Sequence, residues 1–219
     1  MSDQNTFKKN AAAAAMRYIE DGMLVGVGTG STTNYFIDML AEKRDSIRGA
    51  ISSSGATEDR LKKNGIPVMT LADGDPDVYV DGADRFNNLK QLIKGGGGAL
   101  TGEKIVASVS RKFICIADET KREVRLGTSF PLPIAVIPAA RSSVARQILA
   151  MGGNPVYRNG FMTDNGNVIL DIHDLAFDEP IAMEQKLNNI PGIVCNGIFA
   201  LHAADVVLIG NAAGADVLA

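Results

Sequence analysis

Among the ionisable side chains of the stretch DVYVDGADRFNNLKQLIKGGGGALTGEK, four stand around its glycines with types that could do chemistry: Asp81, Asp84, Lys94 and Glu103. Lys94 is followed by a glycine run, Gly95 to Gly98, which costs backbone entropy and suits a place where positive φ or close backbone approach to a ligand is needed. Carboxylates that move protons, an ammonium group, and backbone N–H groups that can meet an oxyanion together make a site for proton transfer beside developing negative charge. Asp-Gly is also a common turn and a glycine run is also a flexible linker, so either half alone reads equally well as structure. The two together point to function.

A second candidate is Gly28-Thr29-Gly30-Ser31-Thr32-Thr33, set between the apolar run Met23 to Val27 and a segment carrying Tyr35, Phe36, Ile37, Met39 and Leu40. Glycines at a strand-to-helix turn let backbone N–H groups approach an anion, hydroxyls add donors, and the helix N-terminus adds its positive dipole end. The reading is a phosphate cradle, with a ligand-free helix cap as the structural alternative. It is not a Walker loop, because no Gly-Lys-Ser/Thr follows, and it lacks the G-x-G-x-x-G spacing of a dinucleotide fingerprint. Lys121 follows the apolar run Phe113 to Ala117 and, taken alone, reads as a solvated charge.

The elements that must position these groups alternate. Val78 to Val80 reads as a buried strand breaking into Asp81-Gly82-Ala83-Asp84, so both carboxylates sit at a strand's carboxyl end, where open α/β sheets bind ligands. Around it the pattern predicts a helix over 7–20, strands at 23–27 and 50–51, a helix over 56–63, a strand at 66–71, a helix after Leu100 to about Arg111, and a strand at 113–117. This is a doubly wound, mostly parallel, Rossmann-like α/β sheet. Beyond Gly127 the texture changes to a linker with Pro131 and Pro133, a strand at 134–137, a helix over 141–151, strands at 156–157 and 168–172 around the turn Asp164-Asn165-Gly166-Asn167, a helix over 180–189 and a strand at 192–200. The βαββαβ order predicts a smaller ferredoxin-like α+β domain. Residues 205–210 read as a strand rejoining the first sheet, giving a catalytic domain of 1–128 plus 204–219 and a small domain of 129–203.

Composition narrows the function class. At 219 residues, 46% hydrophobic and 21% charged, the chain is globular, and a net charge of −3 with no basic run argues against nucleic-acid or anionic-membrane partners and for a small molecule. No apolar run reaches the roughly 20 residues that span a bilayer. Lys8 and Lys9 before Ala11 to Ala15 resemble a secretory signal, but Arg17, Glu20 and Asp21 interrupt it, and a cytoplasmic protein is expected. Cys115 and Cys195 have neither metal-ligand nor CxxC spacing and read as buried hydrophobes, while His173 and His202 lack metal partners at useful spacing. No metal and no cofactor are expected.

With VGVGTGST at 25–32, SSS at 52–54, VDGAD at 80–84, KGGGGAL at 94–100 and FPLPIAVIP at 130–138, the chain resembles ribose-5-phosphate isomerase, type A, from about Gly22 through Gly210. The resemblance implies a cytoplasmic homodimer interconverting ribose 5-phosphate and ribulose 5-phosphate through an enediolate, in the non-oxidative pentose phosphate pathway. It implies Glu103 as the base, with Asp81, Asp84 and Lys94 as a polar shell that opens the sugar ring and balances the oxyanion. It also implies substrate binding by Thr29, Gly30, Ser31, Thr32, Gly82, Ala83, Gly95, Gly96, Gly97 and Lys121. The chain departs from the family pattern at Arg85 and Phe86, in place of Glu and an aliphatic residue, and at Gly102, in place of Arg; Arg85 is expected to pair with Asp84 or with a phosphate. The rival reading is a non-catalytic sugar-phosphate sensor on a related fold. That sensor needs the cradle but not Glu103, and normally carries a helix-turn-helix for which there is no room before Met23. A nucleotide-dependent methyltransferase would use the glycine turn but leaves Asp81, Lys94 and Glu103 without a role.

Overall fold

A computed structural model describes residues 3–175 and 177–218, so the domain ends expected at residues 1 and 219 lie outside it. In chain order its elements begin with α1 (Asp3–Ala15), β1 (Leu24–Val27), α2 (Ser31–Leu40), β2 (Gly49–Ser52), α3 (Gly55–Lys63), β3 (Val68–Met69) and β4 (Val78–Gly82). They continue with β5 (Arg85–Phe86), β6 (Leu92–Ile93), α4 (Leu100–Val109), β7 (Phe113–Asp118), β8 (Leu132–Val136), α5 (Arg141–Ala150) and β9 (Asn154–Tyr157). The last are β10 (Val168–His173), α6 (Pro180–Asn188), β11 (Ile193–Asn196), β12 (Ile198–Phe199), β13 (Val206–Asn211) and β14 (Gly214–Leu218). Two compact units result: one runs to Ala83 and takes in Ile105–Lys121 and the chain from Ala204 onward, and the other is Asp84–Lys104 with Arg122–Ala203.

The first unit is built on a sheet ordered β14-β13-β7-β4-β1-β2-β3 among the described residues. Its neighbours pair in parallel except β13 with β14. β1 and the apolar part of β4 are buried throughout, as strands of a sheet covered on both faces must be. Their core partners include Ala11, Ala12 and Ala15 of α1 and Phe36, Ile37 and Leu40 of α2. The strand order runs outward from β1 to β3 on one side and from β4 to β13 on the other. That reversal makes the carboxyl ends of β1 and β4 a topological switch point, where ligands enter such sheets. The expected strand at 66–71 shrinks to Val68–Met69: it is the sheet's edge, and short edge strands resist further pairing.

The second unit carries an antiparallel sheet ordered β11-β8-β10-β9 with α5 and α6 between its strands, the ferredoxin-like order predicted from the sequence. Ile134, Val136, Val144, Ile148, Leu170, Ile172 and Leu187 form its core. The strand expected over 192–200 is instead two strands in different sheets, because β12 leaves to join β6 and β5. The break falls at Gly197, where a Cβ would stand 2.3 Å from the Lys94 carbonyl oxygen. Its N–H donates to the Pro133 carbonyl at 2.8 Å while its own carbonyl accepts from Lys94 N–H at 2.9 Å, so one residue serves two neighbouring segments.

Both cysteines are buried, as expected, and burial pushes the Cys195 thiol up to about 11. A thiolate is the reactive form, so the folded protein at pH 8 should leave Cys195 unmodified by an alkylating reagent over hours, with labelling only after denaturation; mass spectrometry of the peptides reads the outcome.

Candidate active site

At the switch point of the first unit, Val27 pairs with Val80, and Gly28 N–H donates to the Val80 carbonyl at 2.9 Å. This sets Gly28 against Asp81 so closely that a Cβ at residue 28 would stand 1.8 Å from Asp81 Cγ. Asp81 is fully buried; its Oδ1 accepts from the backbone N–H of Thr29 at 3.0 Å and of Gly82 at 2.7 Å, and from the Thr33 hydroxyl at 3.4 Å. Its Oδ2 accepts from the Tyr79 hydroxyl. The carboxylate thus ties the end of β4 to the first turn of the glycine loop.

The Thr29 hydroxyl lies 2.9 Å from Ser53 Oγ, 2.7 Å from Ser54 Oγ and 3.1 Å from Thr57 Oγ1, and the Thr57 hydroxyl donates to the Gly28 carbonyl at 2.7 Å. The hydroxyl-rich strand end read from SSS is therefore a buttress under the loop. Gly30, at φ 138°, precedes α2 and supplies no side-chain cap to its first N–H groups. Ser31 is exposed and Thr32 half-buried at that helix start. Lys8 donates to Ser31 Oγ at 3.0 Å. Uncapped N–H groups, two hydroxyls and an ammonium make this end of the sheet suited to a phosphate. Lys8 was not singled out for this role in the sequence, where its only visible context was a charged N-terminus. Lys121 closes the short turn after β7, at the same carboxyl edge of the sheet, and is half-buried.

In the second unit Lys94 and Glu103 are 2% and 4% exposed, with Lys94 Nζ 3.4 Å from Glu103 Oε2. Glu103 stands in the first turn of α4, its N–H bonded to the Ala99 carbonyl at 3.0 Å. The Lys94 ammonium lies 5.6 Å from the centroid of the Phe199 ring, which it shares with Lys104 at 4.8 Å. Between Lys94 and α4 the glycines form a turn closed by Gly98 N–H on the Gly95 carbonyl at 2.9 Å. Gly95 at φ 102° and Gly98 at φ 81° occupy backbone that side chains rarely adopt. Gly96 N–H donates to Asp84 Oδ2 at 2.7 Å, and a Cβ there would stand 2.6 Å from Asp84 Oδ1. Asp84, Lys94, Gly95, Gly96, Gly97 and Glu103 therefore gather around one turn. Thr29, Gly30, Ser31, Thr32, Asp81, Gly82, Ala83 and Lys121 belong to the first unit.

Two arginines of the second unit need comment. Arg85, the neighbour of Asp84, gives its Nε to Glu123 Oε1 at 2.8 Å and its Nη1 to the Asp84 backbone carbonyl, not its carboxylate, at 2.6 Å, with its guanidinium over Phe130. A carboxylate far along the chain holds it, so the departure at this position is absorbed locally. Arg158, which the sequence reading passed over, reaches the carbonyls of Gly95 and Gly96. Its signal, an Arg one residue past the end of β9 that reaches an Asp of β10, exists only once the pairing of those strands is known. Among the described residues no cluster of His, Cys, Asp and Glu is arranged to hold a metal ion, and no helix is long and apolar enough to cross a membrane.

Residues 49–214 match the family described as ribose 5-phosphate isomerase A (phosphoriboisomerase A). The chain is 53% identical to ribose-5-phosphate isomerase A of Pasteurella multocida over 217 residues, 99% of both chains, and 52% identical to that of Actinobacillus succinogenes over the same span. Its fold is similar to the crystal structure of ribose 5 phosphate isomerase A from Neisseria gonorrhoeae, at TM-score 0.96, 47% identity and coverage of 99% of this chain and 97% of that one. It is also similar, at TM-score 0.91 and 40% identity over 96% of each chain, to a D-ribose-5-phosphate isomerase in complex with phospho-erythronic acid.

Proposed function

This chain belongs to the ribose 5-phosphate isomerase A family, and from that premise we propose how its residues divide the interconversion of ribose 5-phosphate and ribulose 5-phosphate. The buried Lys94–Glu103 pair at 3.4 Å carries the reading, because it sets a carboxylate and a cation together beside a turn of bare backbone. Glu103 takes the C2 proton of the open-chain aldose. The C–H electrons form the C1–C2 double bond, and the carbonyl electrons move onto O1. Lys94 balances that oxyanion. The proton on O2 then passes to O1, which moves the negative charge to O2, and Glu103 returns its proton to C1 as the O2 electrons form the ketone carbonyl, so the atoms balance and no redox cofactor takes part. Asp84, one oxygen of which is held by Gly96, orients the sugar hydroxyls and assists ring opening. Asp81 contributes to the shell through what it holds, since its oxygens accept from Thr29, Gly82, Thr33 and Tyr79.

Thr29, Gly30, Ser31 and Thr32 take the phosphate, with Lys8 and Lys121 supplying positive charge. The sensor reading has no use for the Lys94–Glu103 pair and is not favoured by relatives at this identity. A cytoplasmic, homodimeric enzyme is the expectation that comes with the family. Remote phosphate binding energy is used to orient the reacting carbons. Changing Ser31→Ala and Thr32→Ala together should therefore weaken substrate and phospho-erythronic acid on the order of 100-fold or more, two hydrogen bonds to a charged group each contributing about 1.5–3 kcal/mol. Ribose lacking its phosphate should be turned over very poorly by the unaltered protein. Unchanged KM and inhibitor affinity in the double variant would place the anion elsewhere.

A further inference from the structure

The turn that separates Lys94 from Glu103 has no side chains with which to hold itself, and glycine backbone has more freedom to lose than any other. Arg158 supplies the restraint from outside. Its Nη1 donates to the Gly96 carbonyl at 3.0 Å and approaches the Gly95 carbonyl at 3.5 Å. The same guanidinium is forked onto Asp171, Nε to Oδ2 at 2.9 Å and Nη2 to Oδ1 at 2.5 Å, and lies over the Phe161 ring at 5.4 Å. Phe161 in turn presses on the end of the turn, where a Cβ at residue 98 would meet its Cζ at 2.2 Å. Arg158 and Asp171 are about four-fifths buried, which keeps the fork from being screened away.

A trans peptide is planar, with its N–H directed opposite to its C=O. Fixing the Gly95 carbonyl therefore fixes the Gly96 N–H, and that N–H is on Asp84 Oδ2 at 2.7 Å. Fixing the Gly96 carbonyl fixes the Gly97 N–H in the same way, on the side away from Arg158. Gly97 is exposed, and a Cβ there would meet nothing within 4 Å, so space for a ligand lies over it. A cation on the carbonyl also polarises the peptide and strengthens the donor at its other end.

We propose that Arg158, locked by Asp171, is a positioning residue for the isomerisation: it presets the Gly96–Gly97 peptide so that Gly97 N–H donates to the negative oxygen of the enediolate while Gly96 N–H holds Asp84. This rests on the enediolate reading above. Arg158→Lys keeps the charge but loses the planar fork. It should lower kcat roughly 10- to 100-fold, given that one missing oxyanion donor costs about 10²–10³ and a displaced one less. KM for ribose 5-phosphate and affinity for inorganic phosphate should stay within about 3-fold, because the phosphate donors are untouched. A phosphorylated hydroxamic acid that mimics the planar enediolate should weaken in proportion to kcat/KM. Asp171→Asn should behave alike, and the two changes together should cost no more than the worse one alone, as expected for groups acting as a unit.

The proposal is overturned if kcat and the hydroxamate affinity of the folded variants match those of the unaltered protein, or if KM rises while kcat holds. Insoluble protein from both single variants would mark the pair as purely structural and overturn it too. An unaltered rate in the Arg158→Lys variant beside an inactive Glu103→Gln variant defeats only this inference. An active Glu103→Gln variant defeats the assignment of the base, whatever Arg158 does.

Discussion

Glu103→Gln should lower kcat roughly 10²–10⁴-fold, the usual cost of losing a positioned general base. The change keeps the side chain's size and its place in the first turn of α4, and removes the basic oxygen 3.4 Å from Lys94 Nζ. If that oxygen serves as the base and not in recognition, ribose 5-phosphate and phospho-erythronic acid should still bind within a few-fold of their original affinity. Isothermal titration with the sugar acid and a direct assay of ribulose 5-phosphate formation separate the two halves. A kcat close to that of the unaltered protein would mean that another group takes the proton. A loss of binding equal to the loss in rate would mean that the carboxylate holds the ground state.

Gly28→Ala should cost both stability and substrate affinity. The added methyl would stand 1.8 Å from Asp81 Cγ and 1.9 Å from Oδ1, and that carboxylate is held by Thr29, Gly82, Thr33 and Tyr79 in a fully buried position. It cannot move aside without leaving buried donors unsatisfied, each worth about 1–3 kcal/mol, on top of overpacking that typically costs 1–3 kcal/mol. Together these give a loss of about 3–5 kcal/mol, a fall in Tm on the order of 10 °C for a chain of this size. With the Thr29 N–H displaced from the loop proposed to take the phosphate, KM should rise about 10-fold or more, the equivalent of roughly 1.4 kcal/mol of lost binding. Calorimetry and steady-state kinetics check both numbers. A variant that melts and binds like the unaltered chain would show that Asp81 does not set the loop.

How much of this was legible in the sequence follows from how far each feature depends on neighbours along the chain. β1 with its glycine turn, β4 with Asp81, and the glycine run into α4 are local patterns, and each stands where periodicity and turn chemistry put it. The βαββαβ order of the second unit is legible for the same reason. The sheet of β5, β6 and β12 is not, because two-residue strands carry no period, and the break at Gly197 is imposed by the backbone of Lys94 and Pro133. Lys8 beside Ser31, Glu123 under Arg85 and Arg158 over the glycine turn are contacts between segments distant in sequence. Each is fixed by sheet order and register, which residue spacing alone does not encode.

The central claim is that Glu103 removes the C2 hydrogen, and exchange of that hydrogen with solvent tests it most directly. Ribose 5-phosphate labelled with deuterium at C2, incubated in ordinary water and followed by NMR, should lose its label with the unaltered protein in the course of isomerisation. With Glu103→Gln at saturating substrate, label loss should slow by the same factor as kcat. Label loss that continues at the original rate in the variant, or an unaltered protein that isomerises while carrying the C2 label wholly into C1 of ribulose 5-phosphate in a manner unchanged by Glu103→Gln, would contradict the account.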